Sequence, residues 1–249
     1  MRILAIETAT DNFGVALVDE ARVLASYEVL AQRPHAVELP GAVTRVTQAA
    51  GCSLTQLDAI ALDIGPGSFT GLRIGLAFVK ALLFKLNKPL VSVPSLDVIA
   101  HNAAYAATQI CPLLDAKQRK VYAALYHHDQ GQLVKRSDYQ LCTVDELLTI
   151  VGGQPVLFLG DGAGLYRERL LQALGSRAAF AAPDLWHPRA VTLGRIARER
   201  FEKGQRDDPR DLVPMYLYPM TCSIRLSNRP PNAPRKAGRQ ASSSASQSS

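Results

Sequence analysis

A glycine-rich stretch in the first third of the chain has the clearest chemical pattern in this sequence. Gly65-Pro66-Gly67-Ser68-Phe69-Thr70-Gly71 follows a short apolar run and precedes a long apolar segment with helical spacing. Glycines before a helix permit positive φ and close approach of other groups, and a helix N-terminus favours an anion. The stretch predicts either a degenerate phosphate loop or a helix-entry turn that binds nothing. The candidate loop residues are Gly65, Gly67, Ser68, Thr70 and Gly71.

The turn after the first apolar segment is a second candidate for phosphate contact. Thr8, Thr10 and Asp11 lie in this turn, directly after Ile6-Glu7. Backbone amides in such a turn can donate to phosphate oxygens, although Thr and Asp also favour turns for local reasons. Neither segment matches an established nucleotide motif. The glycine stretch lacks the Gly-Lys-Ser/Thr ending of a P-loop and the G-x-G-x-x-G pattern.

Few side chains suit a metal site. The carboxylates that could serve an ATPase or kinase are Glu7, Asp63, Asp115 and Asp161. His35 has no second histidine within two helical turns, whereas a metal site needs three or more ligands. His127 and His128 are adjacent on a predicted strand, so their side chains point to opposite faces. We expect this chain to bind no metal, and no catalytic triad is indicated.

Composition favours a cytoplasmic globular protein. Of the 249 residues, 47% are hydrophobic, which is enough for one large or two modest domains. No apolar run reaches the length of a membrane span, and the N-terminus meets Glu7 too early for a secretory signal. The scattered cysteines Cys52, Cys111, Cys142 and Cys222 are predicted to be free thiols.

The last segment of the chain differs in composition from the rest. Five basic residues and no acid follow Thr221, together with Pro230-Pro231 and a serine-rich end. Such a segment buries too little apolar surface to offset chain entropy, so residues 221–249 are predicted to be a disordered tail. Its charge would suit RNA phosphates, but the composition favours a solvated extension with no essential role.

The order of elements predicts two tandem α/β units. Three short strands precede a helix from about Pro40 to Ala50, a strand ending at Asp63, a helix at Leu72–Leu86 and a strand at Pro89–Val93. The pattern recurs from Ile110, with Val121–Tyr126 and Gln132–Lys135 as second and third strands, a Thr143/Glu146 capping box, and Gly160-Asp161-Gly162 in place of the glycine stretch. We therefore predict a duplicated actin/Hsp70-like (RNase H-like) α/β fold, with domains at 1–100 and 101–220.

Several of these segments resemble the TsaB family. They are Ile6-Glu7-Thr8, the glycine stretch through Gly75, Val93-Pro94-Ser95-Leu96, Gly160-Asp161-Gly162-Ala163 and Pro214-Met215-Tyr216-Leu217. The resemblance implies a cytoplasmic, non-catalytic relative of TsaD, the subunit that transfers a threonylcarbamoyl group to adenosine 37 of tRNA. It also implies a complex with TsaD and the ATPase TsaE, pairing through helices of the first domain, and a homodimer when TsaD is absent. ATP and metal would then be bound by the partner subunits.

The helix after the glycine stretch supports a scaffold role on physical grounds. It is apolar around most of its circumference, whereas packing on one sheet needs a stripe of only about 100°. A remaining exposed apolar patch would mark a contact surface. The predicted partner contacts are Leu72, Leu76, Val79 and Leu83 on this helix, and Val43 and Val46 on the preceding one. The alternatives are an independent ATPase or small-molecule kinase of the same fold, a metallopeptidase, and an RNA-binding module that uses the tail.

Overall fold

Two mixed β-sheets, each covered by helices, form the protein, here a computed structural model in which residues 1–20, 22–30 and 35–218 are described. The first sheet has the order β3-β2-β1-β4-β5, in which β1 pairs antiparallel with β2 and parallel with β4. Its strands are β1 (Arg2–Glu7), β2 (Asn12–Asp19), β3 (Arg22–Leu30), β4 (Ala59–Asp63) and β5 (Leu90–Val93). The helices of this half are α1 (His35–Ala49), α2 (Phe69–Leu86) and α3 (Ser95–Asn102).

The second sheet repeats this order with β10-β7-β6-β11-β12. Its strands are β6 (Gln109–Lys117), β7 (Lys120–Ala123), β8 (Tyr126–Asp129), β9 (Gln132–Lys135), β10 (Gln140–Cys142), β11 (Val156–Leu159) and β12 (Ala178–Phe180). The remaining helices are α4 (Val144–Val151), α5 (Asp161–Leu165), α6 (Arg167–Leu174) and α7 (Ala190–Glu202). The predicted duplicated, actin-like α/β fold is confirmed by this repeated strand order.

The third strand of the second unit was predicted in the wrong place. Gln132–Lys135 does not occupy the third position, which is taken by β10. It forms a side hairpin with β8 instead, and β8 joins the sheet only where Tyr126 pairs with Ile110. The predicted single strand at Val121–Tyr126 is interrupted because the backbone of Leu125 bonds to residues 136 and 137 rather than to a neighbouring strand.

Two helix starts also differ from the sequence-based prediction. Helix α1 begins at His35, so Pro40 lies in its second turn rather than its first. Burial of Leu39 and Ala42 against the sheet accounts for this, because it outweighs the hydrogen bond that the proline removes. Serine is a residue type that favours the N-cap position, and Ser95 lies two residues after β5, which predicts it as the cap of α3. The N-cap is instead Pro94, and the hydroxyl of Ser95 donates to Asp63. The predicted Thr143/Glu146 capping box is confirmed, and Ser68 is the N-cap of α2.

Helix α7 belongs by packing to the first half, although a boundary at residue 100 assigns it to the second. It covers the face of the first sheet opposite α1 and α2, with Leu193, Ile196 and Ala197 in one cluster with Ile3 and Ala5. The N-terminal amide of α7 at Ala190 donates to Glu28 of β3 over 2.8 Å. Residues 1–218 accordingly form one unit, and no break separates residues 100 and 101. Predictions for residues 221–249, including Cys222 and the tail, lie outside the described residues.

No helix in the described part of the chain combines the length and apolar character that crossing a bilayer requires.

Candidate functional site

The turn after β1 lies directly on the glycine stretch. The amide of Ser68 donates to the carbonyl oxygen of Ala9 over 2.6 Å. A Cβ atom at Gly67 would overlap that same carbonyl, and a Cβ at Gly71 would overlap the carbonyl oxygen of Thr8. These glycines are therefore required because two backbone segments touch. The backbone of residues 8 and 9 therefore fills the space beside Gly67 and Gly71.

The other candidate loop residues are used for local structure. The Ser68 hydroxyl accepts from the Gly71 amide over 3.2 Å and caps α2. Thr10 accepts from the Asn12 amide over 3.2 Å and shapes the first turn. Thr70 and Asp11 are exposed. Gly65 has a φ of +100°, a conformation that a larger residue rarely adopts. The structure thus brings the two predicted segments together as backbone against backbone, without an open cradle between them.

Glu7 and Asp63 form a buried acid pair beneath this loop. Glu7 accepts from the Ala9 amide over 2.6 Å, and Asp63 accepts from the Gly65 amide over 2.8 Å and the Ser95 hydroxyl over 2.6 Å. The remaining oxygens, Glu7 Oε2 and Asp63 Oδ2, are buried and have no hydrogen-bond partner among the described residues. Burial raises the pKa of Glu7 well above its ordinary value, with a further contribution from Asp63, and burial also raises the pKa of Asp63. Both shifts favour the neutral carboxyl group, and the shift of Glu7 is the larger.

The four carboxylates predicted as candidates for an ATPase or kinase lie in two separate pairs and do not form one cluster. Glu7 and Asp63 are sealed in the first half, at 0% and 1% exposure. In the second half, Asp161 accepts from the Asp115 amide over 2.9 Å, and Asp115 pairs with Lys117 at 2.6 Å. Among residues 1–20, 22–30 and 35–218, no three His, Cys, Asp or Glu side chains are grouped so that they could hold a metal ion.

Residues 215–218 cross the glycine stretch, although the sequence did not predict them as part of the site. The amide of Met215 donates to the carbonyl of Ile64 over 2.7 Å. Tyr216 packs on Phe69 with ring centroids 5.3 Å apart, and its hydroxyl accepts from Arg73 over 3.2 Å. Tyr218 then donates to the carbonyl of Ala116 in the second half over 2.9 Å. Alternating tyrosines before the basic tail were the available sequence signal for this crossing.

Five of the six predicted partner contacts are buried and do not lie on the surface. Leu72, Val79, Leu83, Val43 and Val46 are at most 6% exposed and belong to the core of the first half or line it. Leu76 is half-buried against the same core. The prediction failed because helical spacing shows which side chains share a face, but both faces of α2 are apolar. The leucines and valines predicted as partner contacts lie on the inward face.

Helix α2 nevertheless has apolar side chains that its own domain does not cover. Phe84 is 96% exposed and Phe69 is 53% exposed. Ala77 and Ala81 are also exposed. Beside them an open groove of about 400 Å³ runs between α2 and the segment before β4, and its lining is mainly apolar. The groove is lined by Ser53, Leu54, Thr55, Phe78, Ala81, Leu82, Lys85 and Leu86.

Comparison with known proteins places this fold in a family. The family model for TsaD, described as tRNA N6-adenosine threonylcarbamoyltransferase, matches residues 28–219. The tRNA threonylcarbamoyladenosine biosynthesis protein TsaB of Escherichia coli is 38% identical over 225 residues, covering 87% of this chain and 94% of the relative. The chain belongs to the TsaB family. The TsaB protein of Bacillus subtilis is 32% identical over 220 residues, with the same coverage.

A solved structure agrees with this assignment. YeaZ from Pseudomonas aeruginosa superposes with a TM-score of 0.76 at 30% identity, covering 87% of this chain and 99% of that one.

Proposed function

We propose that this chain is a non-catalytic subunit for tRNA threonylcarbamoyladenosine synthesis, which binds a TsaD protein and, through it, TsaE. The observation that carries the proposal is the contact between the first turn and the glycine stretch. The Ser68 amide is bonded to Ala9, and the backbone of residues 8 and 9 fills the space over Gly67 and Gly71. A phosphate group would have to displace this turn before it could reach the loop.

The burial of the acid pair supports the same proposal. A carboxylate that binds a metal–nucleotide complex must be ionised and accessible, whereas Glu7 and Asp63 are buried and burial raises the pKa of both. The transfer of the threonylcarbamoyl group and the binding of ATP and metal are therefore assigned to the partner subunits. The names of the TsaB relatives and the TsaD family match supply the pathway, and the uncovered side of α2 supplies a surface for the partner.

Reconstitution with TsaD, TsaE, tRNA, ATP and threonylcarbamoyl-adenylate as the group donor tests this function. We expect tRNA modification only when all three proteins are present, and no modification by this chain alone. A titration of the chain with Mg-ATP should give no binding heat at millimolar nucleotide concentrations. Modification by the isolated chain, or full activity of TsaD and TsaE without it, would refute the proposal. Saturable micromolar ATP binding would favour an independent ATPase instead.

A charge placed on the uncovered side of α2 tests the contact surface. Phe84→Asp changes a side chain that is 96% exposed, so folding should be unaffected while TsaD binding is lost. Leu165→Asp on α5 is the matched control, because Leu165 is 61% exposed on the second half. A substitution at Leu83 would not be informative, since Leu83 lies in the core. Equal loss of binding in both variants would contradict the proposed surface.

A further inference from the structure

A buried carboxylate on α3 lies where the two halves of the molecule meet. Asp97 is 7% exposed, and three side chains donate to its oxygens. The hydroxyls of Tyr126 and Tyr139 donate to Oδ1 over 2.6 and 2.7 Å, and Arg200 donates to Oδ2 over 2.6 Å. Asp97 and Arg200 lie on helices of the first half, whereas both tyrosines belong to the second. We call these four residues the Asp97 cluster.

The two tyrosines of the cluster flank the side hairpin that interrupts the duplicated pattern. Strands β8 and β9 pair with each other, and β8 joins the second sheet through one residue pair. Tyr126 begins β8, and Tyr139 directly precedes β10. In the first half, β2 ends at Asp19 and β3 begins at Arg22, which leaves no room for such a hairpin. The element that breaks the repeat is therefore the one that brings both hydroxyls to Asp97.

The contacts of the Asp97 cluster are strong because one partner in each of them is charged. Hydrogen bonds to an ionised group are roughly twice as strong as neutral ones. Burial raises the pKa of both tyrosines, with the charge of Asp97 as the next cause, so both hydroxyls remain donors. Arg200 also donates to the carbonyl oxygen of Ser92 over 2.8 Å, which fixes its guanidinium to β5. Removal of one partner would leave buried polar groups unpaired, which is much more costly than the loss of a surface ion pair.

Two α/β units in one chain are expected to move relative to each other unless their interface is large and apolar. The chain passes between the halves at residues 103–108 and 181–189. Helix α3 supplies an apolar contact, because Leu96 and Ile99 share one cluster with Ile110 and Leu114 of the second half. Asp97 extends from the same helix and adds directional bonds to this contact. The apolar contact brings the halves together, and the directional bonds fix their orientation.

We infer that the Asp97 cluster is a clasp, which couples the two halves into one cooperative body and fixes the arrangement in which both halves meet a partner. The β8–β9 hairpin is the arm of this clasp. Without it the second half should unfold first, because its strands are shorter. Strands β10 and β12 have three residues each, whereas β2 and β3 have eight and nine.

Urea unfolding of Asp97→Asn, followed with two probes, tests the coupling. Trp186 is the single tryptophan and lies against Gly164 of α5, so its fluorescence reports on the second half, whereas circular dichroism reports on both halves. In wild type the two curves should coincide. In Asp97→Asn the fluorescence midpoint should fall by about 1 M urea and lie below the circular dichroism midpoint.

The matched control is Asp145→Asn, which removes an exposed ion pair with Arg169 inside the second half and should keep the two curves coincident. If both probes still coincide in Asp97→Asn at a lower midpoint, Asp97 contributes stability without coupling, and the clasp is overturned. Curves that already separate in wild type would overturn it as well.

Native-state hydrogen exchange of Tyr139→Phe is the second measurement, and it remains available if Asp97→Asn does not fold. The variant loses one hydroxyl and keeps the ring, so its packing should be preserved. A bond that spans the halves is broken when either half opens. Backbone amides of β1 and β4 in the first half, and of β6 and β11 in the second, should therefore all exchange about tenfold faster than in wild type. Asp145→Asn should leave β1 and β4 at wild-type rates. Acceleration by Tyr139→Phe that is confined to β6 and β11 would refute the clasp, because the hydroxyl would then stabilise only its own half.

Discussion

The two halves of the molecule both place an acid near the end of their first strand, yet they compensate its charge in opposite ways. In the first half, Glu7 is fully buried beside Asp63, and burial raises the pKa of Glu7 well above its ordinary value. In the second half, Asp115 is 15% exposed and pairs with Lys117, whose side chain is 72% exposed. Burial shifts the first acid toward its neutral form, whereas the second acid has a lysine at the surface as its partner.

The backbone around these acids is much more alike than the electrostatics. The glycine loop of each half touches the first strand or its turn so closely that a Cβ atom would overlap a carbonyl oxygen. The contact is Gly67 with Ala9 in one half and Gly160 with Leu113 in the other. Both sheets also share one strand order. The comparison indicates that close backbone packing preserves the duplicated frame, whereas the charged groups on that frame have diverged.

Removing the close backbone contact of the first half should have the largest effect. Gly71→Ala adds a methyl group that overlaps the Thr8 carbonyl oxygen, a rigid backbone atom. Alanine would otherwise favour a helix by about 1 kcal/mol, but overpacking against backbone should cost about 3 kcal/mol or prevent folding. Urea unfolding of the purified variant measures the loss.

The control for this variant is Gly153→Ala. Gly153 is exposed, and an added Cβ would meet only an arginine side-chain atom 3.7 Å away. Its stability should stay within about 0.5 kcal/mol of wild type, as for other surface substitutions. If Gly71→Ala were equally stable, the turn would not rest on the glycine loop in solution, and the main support for a closed site would be gone.

The buried acid pair should make the protein less stable as pH rises. The folded state keeps a proton on Glu7 above the ordinary glutamate pKa of about 4.3, whereas the unfolded chain releases it. Because the folded state then binds more protons, the free energy of unfolding falls with increasing pH by roughly 1.4 kcal/mol per unit for each proton retained. The fall begins near the unfolded pKa and continues until Glu7 ionises in the folded state.

Glu7→Gln should remove much of this slope, since an amide can donate to Asp63 at every pH. Denaturation curves measured between about pH 5 and about pH 8 give the free energy of unfolding of both proteins as a function of pH and so test the change. Asp115→Asn in the second half is the comparison, because that carboxylate has Lys117 as its partner. A wild-type protein whose stability rises from acidic to neutral pH, with Glu7→Gln following the same curve, would show that the pair is ionised.

Sequence periodicity was sufficient for the fold but not for the site. The alternation and turns of the first half predicted β1 to β5 in order, and the repeat from Ile110 predicted the duplication. Periodicity could not distinguish the two apolar faces of α2, so Leu72 and Val79 were placed on a surface when they lie in the core. Nor could periodicity reveal that the Ser95 hydroxyl donates to Asp63, because this hydrogen bond joins residues 32 positions apart.

The hairpin turn after β6 differs from the turn after β1 in backbone conformation. This difference has the smallest expected effect on stability. Lys117, Gln118 and Arg119 all have positive φ, at 63°, 52° and 63°, whereas residues 8–11 in the first turn have none in that region. A left-handed conformation costs a non-glycine residue about 1–2 kcal/mol, and glycine loses about 0.5–1 kcal/mol more backbone entropy on folding.

The first of these effects is the larger, so Gln118→Gly should stabilise the protein by about 0.5–1 kcal/mol. Gln205→Gly, in an exposed position without positive φ, should destabilise it by a similar amount. Thermal unfolding of the two variants side by side measures both signs. Destabilisation by Gln118→Gly would mean that the side chain makes a contact worth more than the strain it imposes. The second turn would then be held by its side chains, as the first is held by its backbone.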